Sequence, residues 1–352
     1  VTKPTPSRPP ALASQFAAFD GGNLLVQLSR KGSQQLKNGE IDAAQQTYQE
    51  MIELEPTNTY ALVGMARVAG RHAQWKEAER WYLRCLEVAP YNHVALIGLA
   101  DTYRADAQLP KALSIWKKCL KLDANDLSVL TRMADAYRKS GQCELACQTY
   151  QKALEIDPQH AFALIGLGYV HYDMKDYAQA LTCWNSASLA DPTRVDVRLL
   201  TNLGNCERKL LHFEAALPYY QRALALESNN TYALYGLADC HRGLHQPERS
   251  LQYWRQILAL QPNNKVVLTR AGDALRLLGR FDDALASYQL ALAQGADLYA
   301  TLGLAKVHQA RGQAQSALQL LEQALHTDPG NERIKRLIDD CRRLADTASP
   351  AV

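Results

Sequence analysis

Residues 93–126 read HVALIGLADTYRADAQLPKALSIWKKCLKLDAND, and the fold of the chain follows from how this stretch is built. Leu96, Leu99, Ala100 and Tyr103 form one apolar stripe; after a short polar turn, Ala112, Ile115, Trp116 and Cys119 form a second. Spacing of three and four residues makes each stripe one face of an amphipathic helix. Ala100 and Ala112 are small enough to let the two backbones approach, and Trp116 is large enough to fill the gap to a neighbour. Such a hairpin cannot bury both its faces alone, so it must stack on others.

The neighbours are copies. Pro56 and Pro90 end the second helix 34 residues apart, the next such proline is Pro158 after 68, and Pro192 follows after 34; Ala124 stands midway in the long step. Ala44, Ala78, Ala112, Ala146 and Ala180 keep the same step, each followed four residues later by an aromatic: Tyr48, Tyr82, Trp116, Tyr150 and Trp184. The series resumes at Ala216/Tyr220, Ser250/Trp254, Ala284/Tyr288 and Ala317/Leu321, with two residues inserted near 193–196 and one lost near 295–297. A fixed period of this length is the signature of a repeat array.

This pattern resembles the tetratricopeptide repeat family over residues 25–331, as nine repeats beginning near 25, 59, 93, 127, 161, 197, 231, 265 and 298. The resemblance implies an all-α fold, a right-handed α-α superhelix or solenoid, with the first helix of each repeat (helix A) lining a concave groove. Residues 332–346 are expected to be a capping helix whose Ile334, Leu337, Ile338 and Cys341 cover the last hairpin. Residues 1–24 read as a flexible lead-in and 347–352 as a disordered tail.

Helix A carries a second pattern, with a period of about two repeats. Gly follows Val63, Ile97, Ile165, Tyr235 and Leu302, whereas repeats four, six and eight have Thr-Arg or Thr-Asn, ending in Arg132, Asn202 and Arg270. Further along the same helices runs a ladder: Asp101/Arg104, Asp135/Arg138, Asn205/Arg208, Asp239/Arg242 and Asp273/Arg276, broken in repeat five by Tyr169/Tyr172. In the family's frame these positions face the groove, with Tyr60, Phe162, Tyr232 and Tyr299 nearby and Arg67 at the matching step of repeat two. Alternating apolar sites and hydrogen-bond donors suit an extended peptide or a partner helix. The ladder also has a bland reading, mutual neutralisation that stiffens the solenoid, because surface pairs contribute only ~0–1 kcal/mol each. A subset of the family grips chain-terminal carboxylates with Lys and Asn; here those steps read Val63, Arg67, Ile97 and Asp101, and Asn205 is the lone match.

Other chemistry finds little footing. Cys143 and Cys147 share a helix face, but no second pair completes a four-ligand zinc set. His241 beside Cys240 and His245 takes the place held by Tyr103 and Tyr137, a packing position. No phosphate-binding, dinucleotide, nucleophile-elbow or zinc-protease motif is present, so neither a cofactor nor an active site is expected. The net charge of +3, from 39 basic and 36 acidic residues, gives no field for nucleic acid, and no apolar run is long enough to span a membrane.

The leading expectation is a non-catalytic scaffold or adaptor that binds an extended peptide or helix of a partner protein. The alternatives are a self-assembling structural protein, with a homo-oligomer as its consequence, and a small-ligand carrier using Phe162, Tyr169 and Tyr172. Eight dispersed cysteines favour a reducing compartment, hence the cytoplasm. No signal-peptide pattern is visible at Val1; a periplasmic or membrane-tethered location, through residues preceding Val1, is the alternative.

Overall fold

The computed structural model describes the backbone of residues 11–348 and the side chains of residues 24–343. Among the described residues there are nineteen α-helices, one 3-10 turn and no strand. The chain divides into two bodies at Val170/His171.

The N-terminal body contains α1 (Ala11–Asn38), α2 (Ile41–Leu54), α3 (Thr59–Arg71), α4 (Trp75–Val88), α5 (His93–Ala105), α6 (Leu109–Leu122), α7 (Leu127–Lys139), α8 (Cys143–Ile156) and most of α9 (Ala161–Asp173). The C-terminal body holds the end of α9, then α10 (Tyr177–Ala190), α11 (Val197–Lys209), α12 (Phe213–Leu226), α13 (Thr231–Gly243), α14 (Pro247–Leu260), α15 (Lys265–Leu277), α16 (Phe281–Ala293), α17 (Leu298–Ala310), α18 (Ala314–Thr327) and α19 (Glu332–Ala348). From α1 to α8 and from α10 to α19 each helix packs on the next. Odd-numbered helices, the A helices, also touch the following A helix: α1 on α3 and α3 on α5 in the first body, α11 on α13 and α15 on α17 in the second.

Local chemistry sets the helix boundaries. An Asn or Asp precedes most A helices, and its side chain accepts the backbone N–H three residues on: Asn58 from Ala61, Asn92 from Ala95, Asp126 from Val129, Asp196 from Leu199, Asn230 from Ala233 and Asn264 from Val267. Each cap contributes ~1 kcal/mol. Before α9 the same N–H, that of Ala163, donates to His160 Nδ1. Between helix A and helix B the chain turns through one left-handed residue, a glycine at Gly39, Gly141, Gly279 and Gly312 but Ala73, Ala107, Lys175, Leu211 and His245 elsewhere.

The core is the spacing made solid. Ala44, Ala78, Ala112, Ala146, Ala180, Ala216, Ala284 and Ala317 are all fully buried, and so are Trp116, Trp184, Tyr220, Trp254 and Tyr288. Ser250, in the alanine place, is buried too and donates to the Ala238 carbonyl at 2.8 Å, which satisfies the hydroxyl where it cannot reach water. The chain accommodates the two inserted residues with the 3-10 turn Pro192–Arg194, closed by Asp191 accepting from the Thr193 N–H.

Two boundaries differ from the sequence reading. α1 starts at Ala11, so helix occupies part of the stretch assigned to the lead-in; residues 1–10 lie outside the described residues. α19 runs to Ala348, past the expected end at 346, and residues 349–352 are likewise outside. Ile334, Ile338 and Cys341 of α19 are buried against Ala317, Leu318 and Leu321 of α18 and Leu302 of α17. No helix among the described residues is long and apolar enough to cross a membrane.

Candidate functional site

The A helices carry the candidate surface. At their second position Tyr60, Phe162, Tyr232 and Tyr299 all stand exposed, Tyr232 to 78%. Burying such rings would be favourable by ~1.5–3 kcal/mol each, and the scaffold leaves them in water. Val94 and Val266 occupy the same place and are also exposed.

The apolar steps expected between them are less available. Val63, at 7% exposure, and Leu302, at 3%, are consumed by packing between repeats, which corrects their expected role as groove contacts. Ile97, Ile165 and Tyr235 are half-buried, and Tyr235 sets its ring edge-on to Trp254 at 4.9 Å.

The two-repeat alternation has a packing cause. A Cβ at Gly64 would lie 2.5 Å from the ring of Tyr48, one at Gly98 2.3 Å from Tyr82, one at Gly166 2.2 Å from Tyr150, one at Gly236 2.3 Å from Tyr220 and one at Gly303 2.3 Å from Tyr288. Each tyrosine of helix B therefore crosses the bare backbone of the next helix A, and its hydroxyl reaches polar groups on the A-helix face. Tyr220 Oη donates to Asn205 Oδ1 at 2.8 Å and Tyr288 Oη to Asp273 Oδ1 at 2.9 Å. Where helix B carries Trp116, Trp184 or Trp254 instead, the next helix A carries Arg132, Asn202 or Arg270. An indole has no hydroxyl to deliver, and the glycine is not required. Among the described residues Trp116 Nε1 and Trp254 Nε1 are buried without a hydrogen-bond partner. Both series were visible in the sequence; the missing signal was their covariation, Tyr with Gly and Trp with Arg or Asn.

Charges on this face differ between the bodies. In the C-terminal body Arg208 Nη1 reaches Asp239 Oδ2 at 2.7 Å across to the next repeat, and Arg242 Nη2 holds the other oxygen of Asp239 at 2.6 Å. Asp239 is buried, so both cations are needed to offset its lost hydration. Arg270 lies 3.9 Å from Asp273, Arg276 sits beside the Tyr288 hydroxyl, and Asn202 is half-buried. Burial, and then the neighbouring Arg276 and Arg333, hold the Lys306 ammonium below the usual lysine range.

In the N-terminal body Arg132 is not the free donor expected of it: its Nη1 lies 2.7 Å from Asp101 Oδ2, and Arg104 adds a second contact to Asp101 at 3.6 Å. Burial pushes the Asp101 carboxyl above the usual range against the pull of these two arginines. Arg138 pairs with Asp135 at 3.2 Å and lies 5.3 Å over the ring of Tyr169. Tyr172, in the other body, packs on Tyr177 and Trp184.

One long depression opens on the A helices of the N-terminal body. A cavity of about 760 Å³ is lined by Lys37, Arg67, Arg71, Ile97, Asp101 and Arg132 among others. A second of about 600 Å³ shares Ser33 and Lys37 with it and adds Arg30, Leu25 and Tyr60. Arg67 also lies beside the Tyr82 hydroxyl, whose pKa burial raises and Arg67 draws down.

No group of three or more metal-ligating side chains converges among the described residues. His241 is buried and stacked on Tyr253 at 5.6 Å, with Nδ1 2.8 Å from Gln246 Oε1. All eight cysteines are free thiols, with Cys143 and Cys147 half-buried.

A row of helix pairs with one repeated face is a helical-repeat scaffold. The chain belongs to the tetratricopeptide repeat family: models described as tetratricopeptide or TPR repeat match residues 134–175, 197–230, 241–299 and 275–341. Among solved structures it is similar to the C-terminal part of a TPR repeat-containing protein from Cytophaga hutchinsonii, at 15% identity over 69% of this chain and 98% of that one, with a TM-score of 0.56. It is also similar to YrrB, described as a TPR protein with an unusual peptide-binding site (24% identity, 53% of this chain, 94% of that one, TM-score 0.49). Pseudomonas aeruginosa PilF matches at 20% identity over 61% of this chain and 97% of that one, also with a TM-score of 0.49. No curated protein matches.

Proposed function

We propose that this protein is a non-catalytic scaffold that holds an extended segment of a partner protein along its A-helix face. The family membership supports an interaction scaffold in general. The observation that carries the finer reading is the recurrence of exposed rings, Tyr60, Phe162, Tyr232 and Tyr299, at one position of helix A. Apolar side chains held in water at one helix position are what a docking partner would cover, and among the described residues no ring contact covers Tyr60, Tyr232 or Tyr299. Tyr60 and Val94 each line a cavity of the N-terminal body, so this position adjoins concave surface there.

A photo-reactive benzoylphenylalanine placed at Tyr60, Phe162 or Tyr232 tests this. In an extract of the native host these positions are expected to yield crosslinked adducts, while the same probe at Leu83 or Leu290, exposed on B helices, yields none. Adducts from the helix-B positions alone would overturn the reading. The aromatic positions are cleaner probes than Arg132, whose reversal also breaks its pair with Asp101.

A further inference from the structure

The N-terminal body's depression has a charge that the rest of the A-helix face lacks. Arg30, Lys37, Arg67 and Arg71 line it, and none has a carboxylate within 4 Å among the described residues. The lining carboxylate, Asp101, is already held by Arg132 and Arg104. Four uncompensated cations on two adjacent helices, α1 and α3, stand in a chain whose whole net charge is only +3. Their mutual repulsion costs stability, and the contact of Arg67 with the Tyr82 hydroxyl supplies no opposite charge to offset it. Between the cations lie Leu36, Val94, Ile97 and Tyr60, which are apolar or aromatic.

We infer that this depression selects an acidic, partly apolar peptide segment, recognised through carboxylate side chains spaced along it rather than through a chain terminus. The inference rests on the docking reading above and names the chemistry of what docks. Charge complementarity carries it: an extended chain of alternating acidic and apolar residues places carboxylates against Arg30, Lys37, Arg67 and Arg71 and aliphatic groups against Val94 and Ile97. The cations are spread over two helices instead of gathered at one point, which suits distributed charge. The apolar lining and the single acidic wall residue favour a peptide over a nucleic-acid backbone, which would want a basic stripe with stacked rings throughout.

The test uses the full chain and fluorescein-labelled, C-terminally amidated dodecapeptides, (Glu-Leu-Gly) repeated four times and its Gln and Lys counterparts, followed by fluorescence anisotropy. The Glu peptide is expected to bind ~10-fold more tightly than the Gln peptide at low salt, with the difference shrinking as ionic strength rises. Arg67→Glu with Arg71→Glu should remove at least ~10-fold of that affinity, and Arg67→Gln with Arg71→Gln an intermediate amount. Both arginines are exposed, so unchanged thermal melting by circular dichroism shows the fold intact. Equal binding of Glu and Gln peptides, or no loss in the reversed variant, overturns the inference. So does an oligothymidylate of equal length that binds as tightly as the Glu peptide. If no peptide binds, the acidic-segment inference is wrong, while the docking reading is judged separately by the crosslinking pattern.

Discussion

The two bodies build their A-helix faces from the same repeat and charge them differently. In the C-terminal body the arginines are committed: Arg208 and Arg242 both serve the buried Asp239. In the N-terminal body Arg67 and Arg71 face open space with no carboxylate beside them among the described residues. The helical core is blind to this difference, since the fully buried alanines and aromatics repeat through both bodies. Scaffold and surface are therefore separable, and cations with no carboxylate partner are the better pointers to something external.

The largest test of that separation attacks what the bodies share. Gly98→Arg in the first body and Gly236→Arg in the second each drive a side chain into a tyrosine ring 2.3 Å from the added Cβ. Each change alone should cost ~3 kcal/mol in urea unfolding, at the upper end of overpacking penalties. Adding Tyr82→Trp to the first and Tyr220→Trp to the second recreates the Trp–Arg combination of residues 116 and 132, and should recover much of the loss. Recovery in one body only would show that the Tyr–Gly and Trp–Arg pairings are not a common packing rule.

The next test separates the bodies. Arg208→Met strips one of the two cations from buried Asp239 and should cost ~2 kcal/mol, the scale of a charged hydrogen bond lost in a half-buried site. Arg67→Met removes an exposed cation three residues earlier in the A-helix frame, at the place of Asn205, and should leave stability within ~0.5 kcal/mol. Equal losses would mean that Arg67 has a structural role, and would weaken its candidacy as a recognition residue.

Much of this was legible in the chain before any coordinates. The 34-residue alanine and aromatic series marked deeply buried positions of the B helices, because shape at those positions is dictated locally. The extra residues near 193–196, where the 3-10 turn lies, followed from the same count, and the burial of Ile334 and Ile338 in α19 from the apolar spacing of that segment. The site was less legible. Val63 and Ile97 occupy equivalent positions and are both aliphatic, yet Val63 is buried and Ile97 lines a cavity, a difference that residue type does not carry. Arg132 reads as a free donor in sequence because its partner, Asp101, lies 31 residues away on another helix. Along helix A alone the Gly and Arg alternation reads as a ligand surface, whereas its packing cause sits on the preceding helix B.

Thiols sharpen the comparison further. Cys206 and Cys240 lie on A helices of the C-terminal body, and burial pushes each up to about 12; Cys85 and Cys119, on B helices of the first body, are raised by burial as well. A thiol whose folded pKa is raised stabilises the fold fully below its unfolded value near 9, and that stability is lost as pH climbs toward the folded value. Within that window each of Cys206 and Cys240 should remove ~1.4 kcal/mol per pH unit. Urea midpoints between pH 9 and 11 should fall less steeply for Cys206→Ala with Cys240→Ala than for the parent chain. A slope that responds instead to Cys85→Ala with Cys119→Ala would place the alkaline-sensitive packing on the B helices.

The smallest effects lie in the turns, where the bodies again share a need and meet it differently. Every A–B turn passes through a left-handed residue, and the turns at Ala107, at φ 57°, and at Leu211, at φ 65°, do so without glycine. An L-residue there carries a steric cost of ~1–2 kcal/mol, part of which glycine returns through its greater freedom in the unfolded chain. Ala107→Gly and Leu211→Gly should each raise stability by ~0.5–1 kcal/mol. Leu211 is also exposed, so removing its side chain forfeits little burial and its gain should be at least that of Ala107. A loss at Leu211 with a gain at Ala107 would mean that the leucine makes a contact worth more than its strained backbone. The surface reading of the C-terminal body would then have to include that turn.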